Sequence, residues 1–225
     1  MPVNEPWSRW AGLSLHDRGR QRGQLILDAA FDLVAEQGDL DAVTIRAVTA
    51  RSGVHRRYFA ESFESRDALI CTMFDTAVSG MTLAGLAALK SAAPTTTDQR
   101  LRTVIHSALS YCARNSAHAQ VIFAALDEPG LRTHWQEAMV SFRPLIARPT
   151  PEGAAPSVKD AVIATFLEGA IVEFGKRWVA GEFGENVDDA TDASATAILE
   201  LMKLNQSIHG ADERAASLWR TVIAQ

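Results

Sequence analysis

Between Thr44 and Arg66 the chain sets five arginines (Arg46, Arg51, Arg56, Arg57 and Arg66) against two acids, Glu61 and Glu64. A second basic cluster, Arg18, Arg20 and Arg22, lies upstream. A guanidinium attracts phosphate oxygens through its charge, and its planar fork can bond both O6 and N7 of guanine. The whole chain has a formal charge of −5, so polyanion binding requires an uneven distribution. The distribution is uneven: beyond Arg66 there are 13 cations and 18 anions. Basic charge gathered near the front is what a local phosphate-binding footprint needs.

Catalytic and metal chemistry finds little support. There is no Cys-x-x-Cys, no paired Cys/His spacing and no His-Glu-x-x-His. No Ser/His/Asp or Cys/His constellation is legible either. Asp188-Asp189-x-x-Asp192 is similar to the aspartate-rich pattern by which helical prenyl-diphosphate enzymes hold magnesium. It has no second metal motif beside it. It also follows Gly184, where Asp and Thr commonly cap a helix. The expectation is a protein that is not an enzyme and holds no cofactor or metal.

The 225 residues are 47% hydrophobic and 22% charged, as in an ordinary globular protein with a real core. Cys71 and Cys112 each sit in an apolar, helix-like segment and read as reduced core thiols. Residues 1–17 hold Pro2, Pro6, Trp7 and Trp10 but no continuous apolar run of a secretion signal. The longest charge-free apolar stretch, 76–89, is shorter than the ~18–20 residues of a membrane span. A cytoplasmic protein with no membrane partner is expected.

The periodicity predicts an all-α chain. Residues 1–17 read as a flexible arm, 18–65 as one domain and 66–225 as a second helical domain. A first helix spans 18–37, with Leu25, Ile26, Ala29, Ala30, Leu33 and Val34 on one face and Gly38 as its stop. Thr44 caps a second helix, Ile45–Arg51. Ser52-Gly53-Val54 turns the chain into a third, His55–Ser62, anchored by Phe59 and Phe63. Ser65 caps the next. Further helices are expected at 66–90, 98–116, 117–125, 128–148, 157–181, 191–209 and 212–224.

Two short helices joined by a glycine turn behind a support helix make a helix-turn-helix, whose second helix can lie in a major groove. With Phe59 inward, Arg57 and Glu61 lie nearly opposite it at ~100° per residue. Arg57 is the candidate base reader. Arg56 can reach a base or a phosphate, and Tyr58 a phosphate or a thymine methyl. Thr44 and Arg66, at helix N-termini, and Arg46 are candidate phosphate contacts. His55 completes the set. Arg18-Gly19-Arg20, ahead of the first helix, could enter a minor groove.

These residues resemble the TetR family of bacterial regulators. The likeness runs from Arg22 to Leu69 through Glu36-Gln37-Gly38, Thr44, Val48, Gly53-Val54, Phe59, Phe63, Ser65-Arg66 and Leu69. The chain departs from the family pattern at four places. His55 replaces a small residue, Arg57 a glycine and Arg66 a lysine. The usual tyrosine falls on Ala60, with Tyr58 two residues earlier. The resemblance implies a repressor that binds palindromic double-stranded DNA as a homodimer through its last two long helices. It also implies release by a small-molecule effector.

Apolar surface suited to a dimer is found at Phe166, Gly169 and Ala170, facing Ile198, Leu199 and Met202. An apolar effector pocket is expected among His106, Tyr111, Phe123, Trp135, Met139, Phe142, Phe166, Phe174 and Trp178. The same aromatic spacing also suits plain core. A ligand-independent DNA-binding or scaffold protein keeps this fold and drops the effector.

Overall fold

The computed structural model describes residues 15–125, 128–146 and 158–202. Among them every regular element is helical. They are α1 (Leu15–Gln37), α2 (Ile45–Ser52), α3 (Arg56–Ser62), α4 (Arg66–Ala92), α5 (Thr97–Arg114), α6 (Ser116–Ala124), α7 (Arg132–Ile146) and α8 (Val158–Val179). A further helix, α9, covers 187–202. Short 3-10 turns occupy Leu40–Ala42 and Pro129–Leu131. Residues 1–14 of the expected arm, the end of the expected 191–209 helix and all of 212–224 lie outside the described residues.

Two compact units emerge. The first takes the chain to Gly80 together with 115–138; the second takes 81–114 and the chain from 139 on. The segment 115–138 thus joins the unit of the helix-turn-helix, although the sequence placed it in a second domain.

In the first unit α1 buries Ile26, Ala30 and Val34 completely and packs on α2, α3 and α6. It stops at Gly38, whose φ is +73° and whose N–H bonds the Val34 carbonyl at 2.8 Å. Thr44 Oγ1 accepts the Ala47 N–H at 3.1 Å and opens α2. Gly53 closes it at φ +68°, and Val54 and Phe59 turn into the core. A Cβ on Gly53 would meet no atom within 4 Å. The cost of Gly53→Ala is therefore backbone strain alone, about 1–2 kcal/mol. A thermal melt should fall by a few degrees with helix content unchanged.

α4 is long and apolar enough to cross a bilayer by length and composition. Its Leu69, Ile70, Met73, Phe74 and Ala77 are spent in this core instead. Cys112, buried, has its thiol pushed up to about 11 by burial, and it and Cys71 are both free. A pKa that high keeps the Cys112 thiol protonated and unreactive.

On α6 the His118 ring lies 4.1 Å, centroid to centroid, from Phe31 of α1. Burial there lowers the imidazole pKa. Between the lowered value and the ordinary one, near 6.5, the folded chain binds fewer protons than the unfolded chain. Stability is therefore full above about pH 6.5 and falls as acid takes the pH through the lowered value. Denaturation midpoints measured from pH 7.5 to 5 should show this slope. His118→Gln should flatten it, and an equal slope in that variant would refute the assignment.

Three helix starts differ from expectation by three or four residues; α7, expected from 128, opens at Arg132 because Pro129–Leu131 forms a 3-10 turn. α1 begins at Leu15, so Arg18-Gly19-Arg20 is helical and not a flexible lead-in. A single glycine costs a helix only about 1 kcal/mol, and the neighbours Leu15, Arg18, Arg20 and Gln21 are good helix formers. α9 begins at 187, not 191, because Asn186 caps it. Asn186 Oδ1 accepts the N–H groups of Asp188 (3.0 Å) and Asp189 (3.3 Å). In the second unit, Leu109, Trp178 and Ala190 form a core joined by Ile105, Phe174 and Val187.

Candidate nucleic-acid interface

With Val48, Val54 and Phe59 drawn into the core, the opposite faces of α2 and α3 are left to solvent. Thr44, Arg46, His55, Arg56 and Arg57 are exposed there, and Tyr58 is half-buried. Thr44 and His55 also cap their helices; His55 Nδ1 accepts the Arg57 N–H at 3.3 Å. The Arg57 guanidinium donates to Tyr58 Oη at 2.7 Å, with its carbon 4.5 Å from the ring centroid. Arg57 and Tyr58 thus form one basic, aromatic edge on α3, with Arg56 exposed beside them at its first turn.

Two of the five arginines have other work. Arg51 hydrogen-bonds Glu36 and lies 3.9 Å from Asp32, tying α2 to α1. The Glu36 hydrogen bond raises its pKa.

Arg66, expected on a phosphate, turns inward. Its Nε donates to the Val43 carbonyl at 2.7 Å and its Nη2 to the Leu40 carbonyl at 2.9 Å. Its Nη1 lies 3.4 Å from Glu128. The carbonyls of the α1–α2 connection need donors, and a guanidinium at the start of α4 supplies two at once. Arg20 is exposed on α1, while the Arg18 side chain lies outside the described residues.

Sequence reasoning missed Arg22 as a partner of α3. It stands one turn before Ile26 on the buried face of α1, and that register was the available signal. Its guanidinium reaches 4.1 Å from the Tyr58 ring centroid and 3.5 Å from Glu61.

In the second unit α8 carries an exposed apolar strip. Val158 (83% exposed), Val162 and Phe166 (71%) lie one turn apart, and exposed Gly169 and Ala170 continue it. Ile198 is only 8% exposed and is core within its own chain. Leu199 and Met202 are half-buried.

The expected pocket residues fall in both units. Phe123 and Trp135 belong to the first unit, the others to the second. Trp178 is core, and Phe174 packs on that core while stacking on Phe183 at 5.5 Å. Tyr111 and Met139 are half-buried, Phe166 is exposed, and the Phe142 side chain lies outside the described residues. Helical spacing alone does not separate core aromatics from lining ones.

His106 lines an open groove of about 610 Å³ with Arg102, Asp188, Thr191 and Asp192. There His106 pairs with Asp188 at 3.2 Å and Arg102 with Asp192 at 2.6 Å. Two carboxylates of the aspartate-rich motif are thus held by an imidazole and a guanidinium of α5, and Asp189 accepts from the Asn186 amide at 2.8 Å.

No protein-family model and no curated protein sequence matches the chain. Solved structures do. A TetR-like regulator from Rhodococcus is 19% identical, with a TM-score of 0.57 over 81% of this chain and 96% of that one. FadR from Bacillus subtilis, solved with stearoyl-CoA, is 16% identical, with a TM-score of 0.60 over 78% and 96%. The TetR-family regulator PfmR from Thermus thermophilus is 18% identical, with a TM-score of 0.54 over 78% and 97%. The fold of this chain, all-helical with a helix-turn-helix near its front, is the fold of the TetR-family transcriptional regulators.

Proposed function

We propose that this protein is a DNA-binding transcriptional regulator of the cytoplasm. One observation carries the reading: the helix-turn-helix leaves Arg46, Arg56 and Arg57 exposed on its outer face. Folding consumes Arg51 and Arg66 as ties between helices and loops, so Arg46, Arg56 and Arg57 are the arginines of this segment left on the surface toward phosphates and base edges. One such helix reads few base pairs. Two copies related by a two-fold axis read a palindrome with recognition helices about 34–36 Å apart. The exposed strip Val158, Val162 and Phe166 supports homodimerisation through α8.

The regulator acts as a repressor released by an apolar small molecule. A protein of the same fold, FadR from Bacillus subtilis, was solved with stearoyl-CoA, so long-chain acyl compounds are the first to test here. Selection from a random-sequence duplex pool tests the DNA reading. Enrichment of a two-fold-symmetric sequence is expected, and a pool that stays random after several rounds would refute it. Stearoyl-CoA and shorter acyl-CoAs should then weaken binding to the enriched duplex. Unchanged binding with every ligand tried would leave a regulator without this class of effector.

A further inference from the structure

Arg22 lies outside the helix-turn-helix yet touches its reading edge. α1 and α3 lie close at this point: a Cβ on the neighbouring Gly23 would be in ordinary contact with Ser62 Cβ, at 4.0 Å. Arg22 then spans to α3, with its guanidinium carbon 4.1 Å from the Tyr58 centroid and an amino group 3.5 Å from Glu61. Its Nε is buried without a partner, so the group sits against protein rather than in open water. Arg57 meets the same ring at 4.5 Å and bonds the same tyrosine's hydroxyl at 2.7 Å. Two guanidinium ions repel each other. The negative face of the ring and the Glu61 carboxylate offset that repulsion.

We propose that Arg22 is a positioning residue for base reading, a role that rests on the DNA-binding function above. It fixes the Tyr58 ring, and the Tyr58 hydroxyl in turn fixes the Arg57 fork. An exposed arginine has many rotamers and can satisfy itself on any nearby phosphate. Held by Tyr58, Arg57 spends one of its five N–H donors on the tyrosine and aims the rest in one direction. A guanine, with two acceptors side by side, matches such a fixed fork, and other bases do not. Arg22 therefore governs discrimination between sequences without touching DNA.

The test uses the full chain and duplexes enriched from a random-sequence pool. Discrimination is read at the base pair where Arg57→Ala loses its preference. Arg22→Gln and Tyr58→Phe should each lower that preference by about fivefold, the lower end of what one bidentate contact supplies. The double variant should be no worse than the worse single one, because both break the same chain of contacts. The slope of log affinity against log salt should stay unchanged, and circular dichroism should show intact helices.

Uniform weakening on all duplexes, with the slope reduced by about one, would make Arg22 a phosphate contact and overturn the proposal. Additive losses, or no loss in either variant, would overturn it as well. A wild-type chain that enriches no sequence would overturn the DNA reading itself, and this inference with it.

Discussion

Phe166→Glu should give a monomer that has lost about a hundredfold in affinity for its operator. Phe166 is 71% exposed in the single chain, so the change removes nothing from the core and the monomer should melt as before. In a two-fold interface the same residue enters from both sides. Each dimer would then have to desolvate two carboxylates facing one apolar strip, at a cost of several kcal/mol. Once the dimer is lost, the second reading head is no longer held beside the first. Avidity of about 10²–10⁴ disappears without any change in the helix-turn-helix. Light scattering on a size-exclusion column gives the mass, and a titration gives the affinity. Ile198→Ala is the contrast: buried in its own chain, it should lower the melting temperature and spare the dimer. A Phe166→Glu protein that remains a dimer would remove α8 from the interface.

Arg66→Ala should cost about 2–3 kcal/mol of stability: the Val43 carbonyl loses its guanidinium donor, and the Leu40 carbonyl loses a charge-assisted bond and keeps only the Val43 N–H at 2.9 Å. That is a melting point lower by roughly 5–10 °C for a chain of this size. The carbonyls are those of Leu40 and Val43, and no other side chain replaces the guanidinium fork that reaches both. Arg66→Lys should recover part of the loss, since one ammonium can bond a carbonyl and remain near Glu128, but cannot copy the fork. A variant with unchanged melting and weaker, less salt-sensitive DNA binding would restore the phosphate role that sequence position alone suggests.

Arg66 also shows where the sequence stops being legible. The helix-turn-helix was readable because its signals are local. Thr44 caps three residues ahead, Gly53 takes positive φ on its own account, and Phe59 and Val48 follow helical spacing. The fates of the arginines were not readable, because charge is written in the sequence but partners are not. Arg51 finds Glu36 15 positions away, and Arg66 finds Glu128 62 positions away. The aspartate-rich motif behaves alike: Asp192 meets Arg102 across 90 positions. The expected dimer face was legible only as apolar helical spacing. Phe166, Gly169 and Ala170 are exposed, but Ile198, equally apolar on paper, faces its own core.

Whether this chain reads DNA sequence is decided by a titration of the wild-type protein on its enriched duplex and on a scrambled one, at two salt concentrations. Tight binding to the enriched duplex is expected, with weaker binding to the scrambled one and an affinity for both that falls steeply with salt. Equal affinity for the two duplexes, or none at low salt, would contradict it.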